Sequence, residues 1–196
     1  MKIILVPGFV AAFICIGLGD VTAQDQAHES AQTKPLSVCE ILAHPLKYDG
    51  LLVTIRDRVE GTDEGGWLVG DRCPGVFVTD GYVWPSSISL EMPTIPSNLR
   101  LHSVDFTYNW QSSKRVDAKY HRLLRSGPRD CMVFTYTGLF ETRRDWSAAK
   151  VIFPNGTSRV IGFGHLNDAP AQLLMKSGDD VSLIPNCPAT DSAKQE

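Results

Sequence analysis

The sequence predicts a mainly β domain, a small OB-like barrel with a short N-terminal helix and one inserted amphipathic helix. Three observations predict it. From Leu51 onward apolar residues recur at every second position, the mark of half-buried strands. Five or more such runs follow, and a helical stretch separates the third from the fourth, the order of an OB-type barrel. Gly138 stands inside the run from Cys131 to Thr142, where a bulge or bend curves a sheet. A two-sheet sandwich satisfies the same periodicity, so periodicity alone leaves closure open.

The chain of 196 residues begins with an address. Ile3 to Gly19 carry no charge behind a single Lys2, and Val21-Thr22-Ala23 supply the small residues of a cleavage site. Residues 1–23 therefore read as a secretory signal peptide. As a membrane anchor the apolar run is short and is broken by Pro7 and Gly8. Ile14 before Cys15 is too large for a lipid-attachment box. Residues 24–35 are polar and lack aromatics, as do 189–196, so these read as a flexible leader and tail. A single folded domain is expected over 36–188, with no transmembrane segment in the mature chain.

Hydrophobic residues make up 43% and charged residues 21%, the balance of a globular chain. Nineteen basic residues stand against 22 acidic ones, a net charge of −3. Removing residues 1–23 takes one Lys and one Asp and leaves that charge unchanged. A bulk polycationic nucleic-acid binder is thereby excluded, though a local basic patch is not.

Ser37-Val38-Cys39-Glu40 matches a capping box, and Val38, Ile41 and Leu42 give its helix one apolar face. Pro45 ends the helix, and Tyr48-Asp49-Gly50 makes a turn. Leu51, Val53, Ile55 and Val59 then alternate with polar neighbours as a first strand. Trp67-Leu68-Val69 opens its partner, which the segment Asp71 to Gly75 breaks. Val76-Phe77-Val78 and Ile88-Ser89-Leu90 are short apolar runs separated by Asp80-Gly81 and Trp84-Pro85. Beyond Pro93 and Pro96, Ser112 is expected to cap a helix that Gly127-Pro128 stops, with Val116, Tyr120, Leu123 and Leu124 as its apolar stripe. Strands resume over Cys131 to Thr142. Val151-Ile152-Phe153 and Val160-Ile161 flank Pro154-Asn155-Gly156-Thr157 as a hairpin. Ala171 to Lys176 and Val181 to Ile184 read as two strands joined by a Gly178-Asp179-Asp180 turn.

Cleavage removes Cys15 and leaves Cys39, Cys73, Cys131 and Cys187, an even set that reads as a disulfide framework in an exported chain. No two of them lie at a C-x₂₋₄-C spacing, so a zinc site is not expected. Of three pairings, Cys39–Cys73 with Cys131–Cys187 is preferred. These close loops of about 35 and 57 residues, each stabilising by roughly 4 kcal/mol in the chain-entropy model.

Several phrases carry a resemblance. Cys39-Glu40-Ile41-Leu42, Pro45, Tyr48-Asp49-Gly50 and Val53-Thr54-Ile55-Arg56 resemble a group of uncharacterised exported bacterial proteins with an OB-fold-like domain. Cys73 and Gly162-Phe163-Gly164-His165-Leu166, followed by Ala171-Gln172-Leu173, fit the same pattern. The strand-plus-Gly pattern is also similar to that of periplasmic bacterial OB-fold stress proteins. Asp57 replaces the Gly that tends to follow Arg56 in such chains. The resemblance implies a fold and an exported, periplasmic or extracellular location; it carries no catalytic residue to this chain.

Three sets of side chains are candidates for function. His165, flanked by Gly162 and Gly164, could serve as a general base oriented by Asp168; a structural role at a strand bend is the competing reading. Arg115, Lys119 and Arg122 fall at i, i+4 and i+7 on one helix face, within a stretch of seven basic and three acidic residues from Ser97 to Asp130. Such a face attracts phosphate groups of lipid, nucleic acid or an envelope polymer, or is solvated surface. Trp67, Phe77, Tyr82 and Trp84 lie near the second and third strands, the ligand face of OB folds, or fill the core. Asn155-Gly156-Thr157 matches a glycosylation sequon that a hairpin turn explains equally. No Gly-x-Ser-x-Gly, His-Glu-x-x-His or Walker-type loop occurs, and no cofactor is expected. The expected function is a non-catalytic exported binding module whose ligand is a protein, an oligosaccharide or an anionic envelope component. A hydrolase using His165 and Asp168, and a structural envelope protein without a small ligand, are the alternatives.

Overall fold

Ser37 opens the fold in the computed structural model, which describes residues 34–62, 65–71, 73–75, 77–79, 81–93, 100–128, 131–146, 149–185 and 187. The expected signal segment, most of the leader, and the tail fall outside these. The Ser37 hydroxyl accepts from Glu40 N at 3.1 Å and the Glu40 carboxylate accepts from Ser37 N at 2.7 Å, so both halves of the capping box form. Helix α1 (Val38–Ala43) buries Val38, Ile41 and Leu42. Pro45 both stops α1 and starts α2 (Pro45–Tyr48), where its missing N–H leaves no bond unmade. Asp57, the departure from the resembled pattern, accepts from Val38 N at 2.9 Å and ties the start of α1 to the sheet.

Five long strands build that sheet. They are β1 (Leu52–Thr62), β2 (Gly65–Val69), β5 (Ser87–Glu91), β6 (Met132–Thr142) and β9 (Ala171–Leu183). The small hairpins β3 (Val78–Thr79) with β4 (Tyr82–Val83), and β7 (Lys150–Ile152) with β8 (Ser158–Val160), are inserted between them. Antiparallel ladders join β1 to β2, β2 to β5, β1 to β6 and β6 to β9; a parallel ladder joins β5 to β9. The mixed sheet thus closes on itself in the order β1-β2-β5-β9-β6. Val53, Ile55, Leu68, Ile88, Phe140, Ala171 and Leu173 fill its interior together with the apolar face of α1. Leu51, expected on the core face, is half exposed like Leu52, because the alternation begins only at Val53.

The last strand corrects the sequence reading. Ala171 to Leu183 is one strand, and Gly178-Asp179-Asp180 makes a bulge, not a turn. Gly178 faces Tyr136 and Asp180 faces Thr135, leaving Asp179 as the extra residue. Ser177 Oγ and Thr137 Oγ1 donate to its carboxylate, each at 2.6 Å. A second register shift lies beside Gly138, where the strands approach so closely that a Cβ would stand 2.4 Å from Leu174 O.

Helix α3 (Trp110–Leu123) covers one end of the sheet. Asn109 is its cap, accepting from Ser112 N at 3.1 Å, so the helix starts earlier than expected and Ser112 donates its hydroxyl to Asn109 O instead. Val116 packs with Met132 and Val181, joined by Tyr120, Leu123, Phe134 and Leu183. Leu124 lies beyond the stripe and is exposed. The segment before α3 is strapped to the sheet by the buried Glu141. That carboxylate accepts from Leu101 N at 3.1 Å, from His102 N at 2.7 Å and from Gln172 Nε2 at 2.6 Å.

Cys39–Cys73 fastens α1 to the segment after β2, and Cys131–Cys187 fastens the start of β6 to the segment beyond β9, the preferred pairing. The expected hairpin over 151–161 is present, with Gly156 at φ +80° and the Asn155 side chain accepting from Thr157 N and Oγ1. Among the described residues no helix is long and apolar enough to cross a membrane.

Candidate functional site

The outer face of β2 and β5, nominated by the sequence, is roofed by the chain itself. Trp67 and Ser89 are cross-strand partners there. The loop after β8 lies across them: a Cβ on Gly164 would meet Ser89 Oγ at 2.6 Å and Trp67 Nε1 at 3.6 Å. Gly164 has φ +82°, so glycine answers both the close approach and the backbone conformation. Ser87, Ile88 and Ser89 are all buried, Ile88 in the core and Ser89 against this loop. Trp67 is half-buried, and its Nε1 is buried without a hydrogen-bond partner. It does not stand on an open platform.

The same loop decides the geometry of the histidine. Gly162 N donates to Asn167 O and Asn167 N to Gly164 O, while Phe163 bridges to Ala169 and is buried. His165 and Leu166 are left exposed at the tip. The site of a Cβ on Gly65 lies 3.5 Å from the Trp67 ring and 3.9 Å from His165 Cβ, so His165 and Trp67 flank the same glycine. Asp168 Oδ1 is buried and accepts no hydrogen bond, so that oxygen orients no imidazole.

Trp84 belongs to a second core. It is 2% exposed, donates Nε1–H to Thr79 Oγ1 at 2.6 Å, and packs with Trp146, Ala149, Val160 and Phe163. Tyr82 meets its edge at 4.6 Å and Trp146 lies at the same distance on another side. Trp84 therefore fills space between the β3–β4 insertion and the connection from β6 to β9, and is no ligand platform; Tyr82 is half-buried against it.

An open groove of about 440 Å³ runs along the edge of this second core. Pro45, Leu46 and Lys47 of α2, with His44, form one side; Phe77 and Thr79 form another; Arg143, Arg144 and Trp146 complete it. Phe77 meets Trp146 edge to face, with centroids 6.2 Å apart. The two arginines have opposite fates. Arg144 Nε donates to Asp49 Oδ2 at 3.4 Å. Arg143 has no carboxylate partner among the described residues. Its guanidinium lies over the rings of Phe163 (5.1 Å) and Trp146 (5.9 Å), and its Nε is buried without a hydrogen-bond partner. Burial lowers its pKa from the ordinary guanidinium value, and it stays a cation.

Asp49 anchors this end of the molecule. It accepts from His102 Nε2 at 2.9 Å and from Thr142 N at 3.2 Å as well as from Arg144. Burial acts to raise its pKa, but the hydrogen bonds from His102 and Thr142 and the neighbouring cations outweigh it and hold the carboxyl below its usual range.

On α3 the expected basic trio is divided. Arg115 and Arg122 are exposed, but Lys119 is engaged by Asp180 of β9 at 2.5 Å. Beneath the helix a recess of about 250 Å³ is lined by Val59, Val116, Tyr120, Phe134, Tyr136 and Gly178. Burial, with Tyr108 nearby, pushes the Tyr136 hydroxyl up to about 12.

Among the described residues no three His, Cys, Asp or Glu side chains gather as a metal would require. Sequence reasoning missed Arg143, Trp146 and Lys47. The signal for the first two was the basic and aromatic run Arg143-Arg144-Asp145-Trp146 directly after a strand. Comparison of the chain with protein-family models, with curated proteins and with solved structures finds no match.

Proposed function

We propose that this chain is an exported, non-catalytic binding module with an OB-like fold, and that its ligand seats in the groove between α2, the β3–β4 hairpin and the chain following β6. The OB-like reading is supported by a closed five-stranded order with α3 placed between the third and fourth strands of the ring. Export is supported by two disulfides, which persist in oxidising compartments, and by the apolar stretch with a cleavage-type sequence at residues 3–23.

The observation that carries the binding reading is the lining of the groove. Aromatic and aliphatic walls from Trp146, Phe77, Pro45 and Leu46 adjoin the fixed cations Lys47, Arg143 and Arg144. Small-molecule sites have this make-up, largely apolar with a few polar anchors, and this size. The outer face of β2 and β5 is taken up by the chain's own loop, which leaves the groove as the better seat.

Two-dimensional NMR of the secreted protein, titrated with short oligosaccharides, peptides and small organic anions, tests the proposal. Shifts clustered on Lys47, Phe77, Arg143 and Trp146 are expected. Hydrolytic turnover lost in His165→Ala would replace binding by catalysis.

A further inference from the structure

We infer that Arg143 is an anion anchor, and that the groove takes a small ligand bearing one carboxylate or phosphate group on a planar or apolar body. The inference rests on the groove being the binding site and names the chemistry of what fills it.

Two successive residues at the end of β6 make the case. Arg144 reaches Asp49, and that carboxylate is already filled by His102 and Thr142 N. Among the described residues no carboxylate pairs with Arg143. A guanidinium carries five N–H donors in a planar fork, yet Arg143 has its Nε buried without an acceptor and aromatic faces where a carboxylate would normally lie. Aromatic faces offset part of a cation's desolvation but accept none of its in-plane hydrogen bonds. A buried polar group without a partner is unfavourable, and the remaining N–H donors of this half-buried guanidinium are the ones an acceptor in the groove would take. The acceptor that matches a fork is a carboxylate or phosphate, taken bidentately.

The surroundings select the rest of the ligand. Among the described residues that line the groove none is acidic, and Lys47 adds positive charge to it. Trp146 and Phe77, packed edge to face on each other, line the groove and give an apolar body a wall beside the anion. A volume of about 440 Å³ suits a small molecule or a single terminal unit of a chain.

The test titrates the mature protein with benzoate, phenyl phosphate, inorganic phosphate and neutral benzyl alcohol, reading the Trp146 indole N–H. Benzoate and phenyl phosphate should both shift that signal, with the tighter of the two identifying the anion's source. Benzyl alcohol and inorganic phosphate should each bind at least tenfold more weakly. Arg143→Gln should lose tenfold or more of the aromatic-anion affinity, Arg143→Lys should recover part of it, and Arg144→Gln should change it less. The four-probe comparison in the unaltered protein needs no variant to fold. Equal binding of benzyl alcohol and benzoate, or unchanged affinity in Arg143→Gln, would overturn the anion anchor and leave the groove as a binding site. Inorganic phosphate binding as tightly as phenyl phosphate would overturn the requirement for a body. Probes that shift residues elsewhere, with the Trp146 signal still, would overturn the groove reading too.

Discussion

Glu141 and Gln172 face each other across the β6–β9 ladder, both sealed from solvent, and the Gln172 amide donates to the Glu141 carboxylate at 2.6 Å. The other carboxylate oxygen receives Leu101 N and His102 N, so one buried acceptor joins two strands to the strap before α3. Glu141→Ala removes the acceptor of the Leu101 and His102 amides and is expected to cost about 1–3 kcal/mol or more. Urea unfolding measures the loss, and loosened protection of the Leu101 and His102 amides in hydrogen exchange locates it.

Asp49 sets part of the acid sensitivity. Its folded pKa lies below the unfolded value of about 3.9, so its stabilisation is complete above that value and is lost as the pH falls through the lower, folded one. Asp57 has the opposite sign: burial raises its pKa despite the donors Val38 N and Arg58 N, so its penalty fades as the pH falls. Asp49→Asn is therefore expected to flatten the fall in stability below about pH 4. Denaturation midpoints measured from pH 2 to pH 7 check the slope; an unchanged acid limb would contradict it.

Gly138 is a position where a methyl group has no room. Its Cβ would meet backbone Leu174 O at 2.4 Å and Leu173 Cγ at 2.9 Å. Gly138→Ala should destabilise by about 3 kcal/mol, whereas Gly75→Ala, with nothing within 4 Å, should be near neutral. Parallel thermal melts compare them.

The Cys131–Cys187 bridge closes the longer loop, with a sequence separation of 56 against 34 for Cys39–Cys73. Replacing either pair by Ser should cost roughly 4 kcal/mol in the chain-entropy model. Unfolding with and without reductant tests this, and a wild-type midpoint unmoved by reduction would argue against it.

On α3, Lys119→Glu sets like charge against Asp180 of β9. Arg115→Glu with Arg122→Glu alters exposed residues only. The single change should be the more destabilising, by about 1 kcal/mol, since exposed substitutions stay within roughly 0.5 kcal/mol. Urea midpoints of the two proteins decide it.

Much of the scaffold is local in origin and could be read from the chain. The box of Ser37 and Glu40, the Asn155-Gly156 hairpin and the alternation from Val53 are each encoded within a few residues. What could not be read depends on partners distant in sequence. Gly178-Asp179-Asp180 has the composition of a turn and becomes a bulge only because Tyr136 and Thr135 continue the ladder opposite. Trp67 and Trp84 have the same side-chain chemistry; whether they are exposed is decided by loops from another part of the chain. The Arg143 guanidinium lies over Phe163 as well as Trp146, and the Phe163 contact is set by a loop distant in sequence.

The parallel ladder between β5 and β9 has a consequence for how the protein is made. Among the described residues β9 is the last element and the neighbour of β5 on that side, so the ring stays open until residues 171–183 have joined it. Until then β1, β2, β5 and β6 make an unfinished sheet with raw margins, the state in which nascent β proteins stick to one another. Assembly of this domain waits on its final strand, and truncation within that strand would strand every copy in the sticky intermediate.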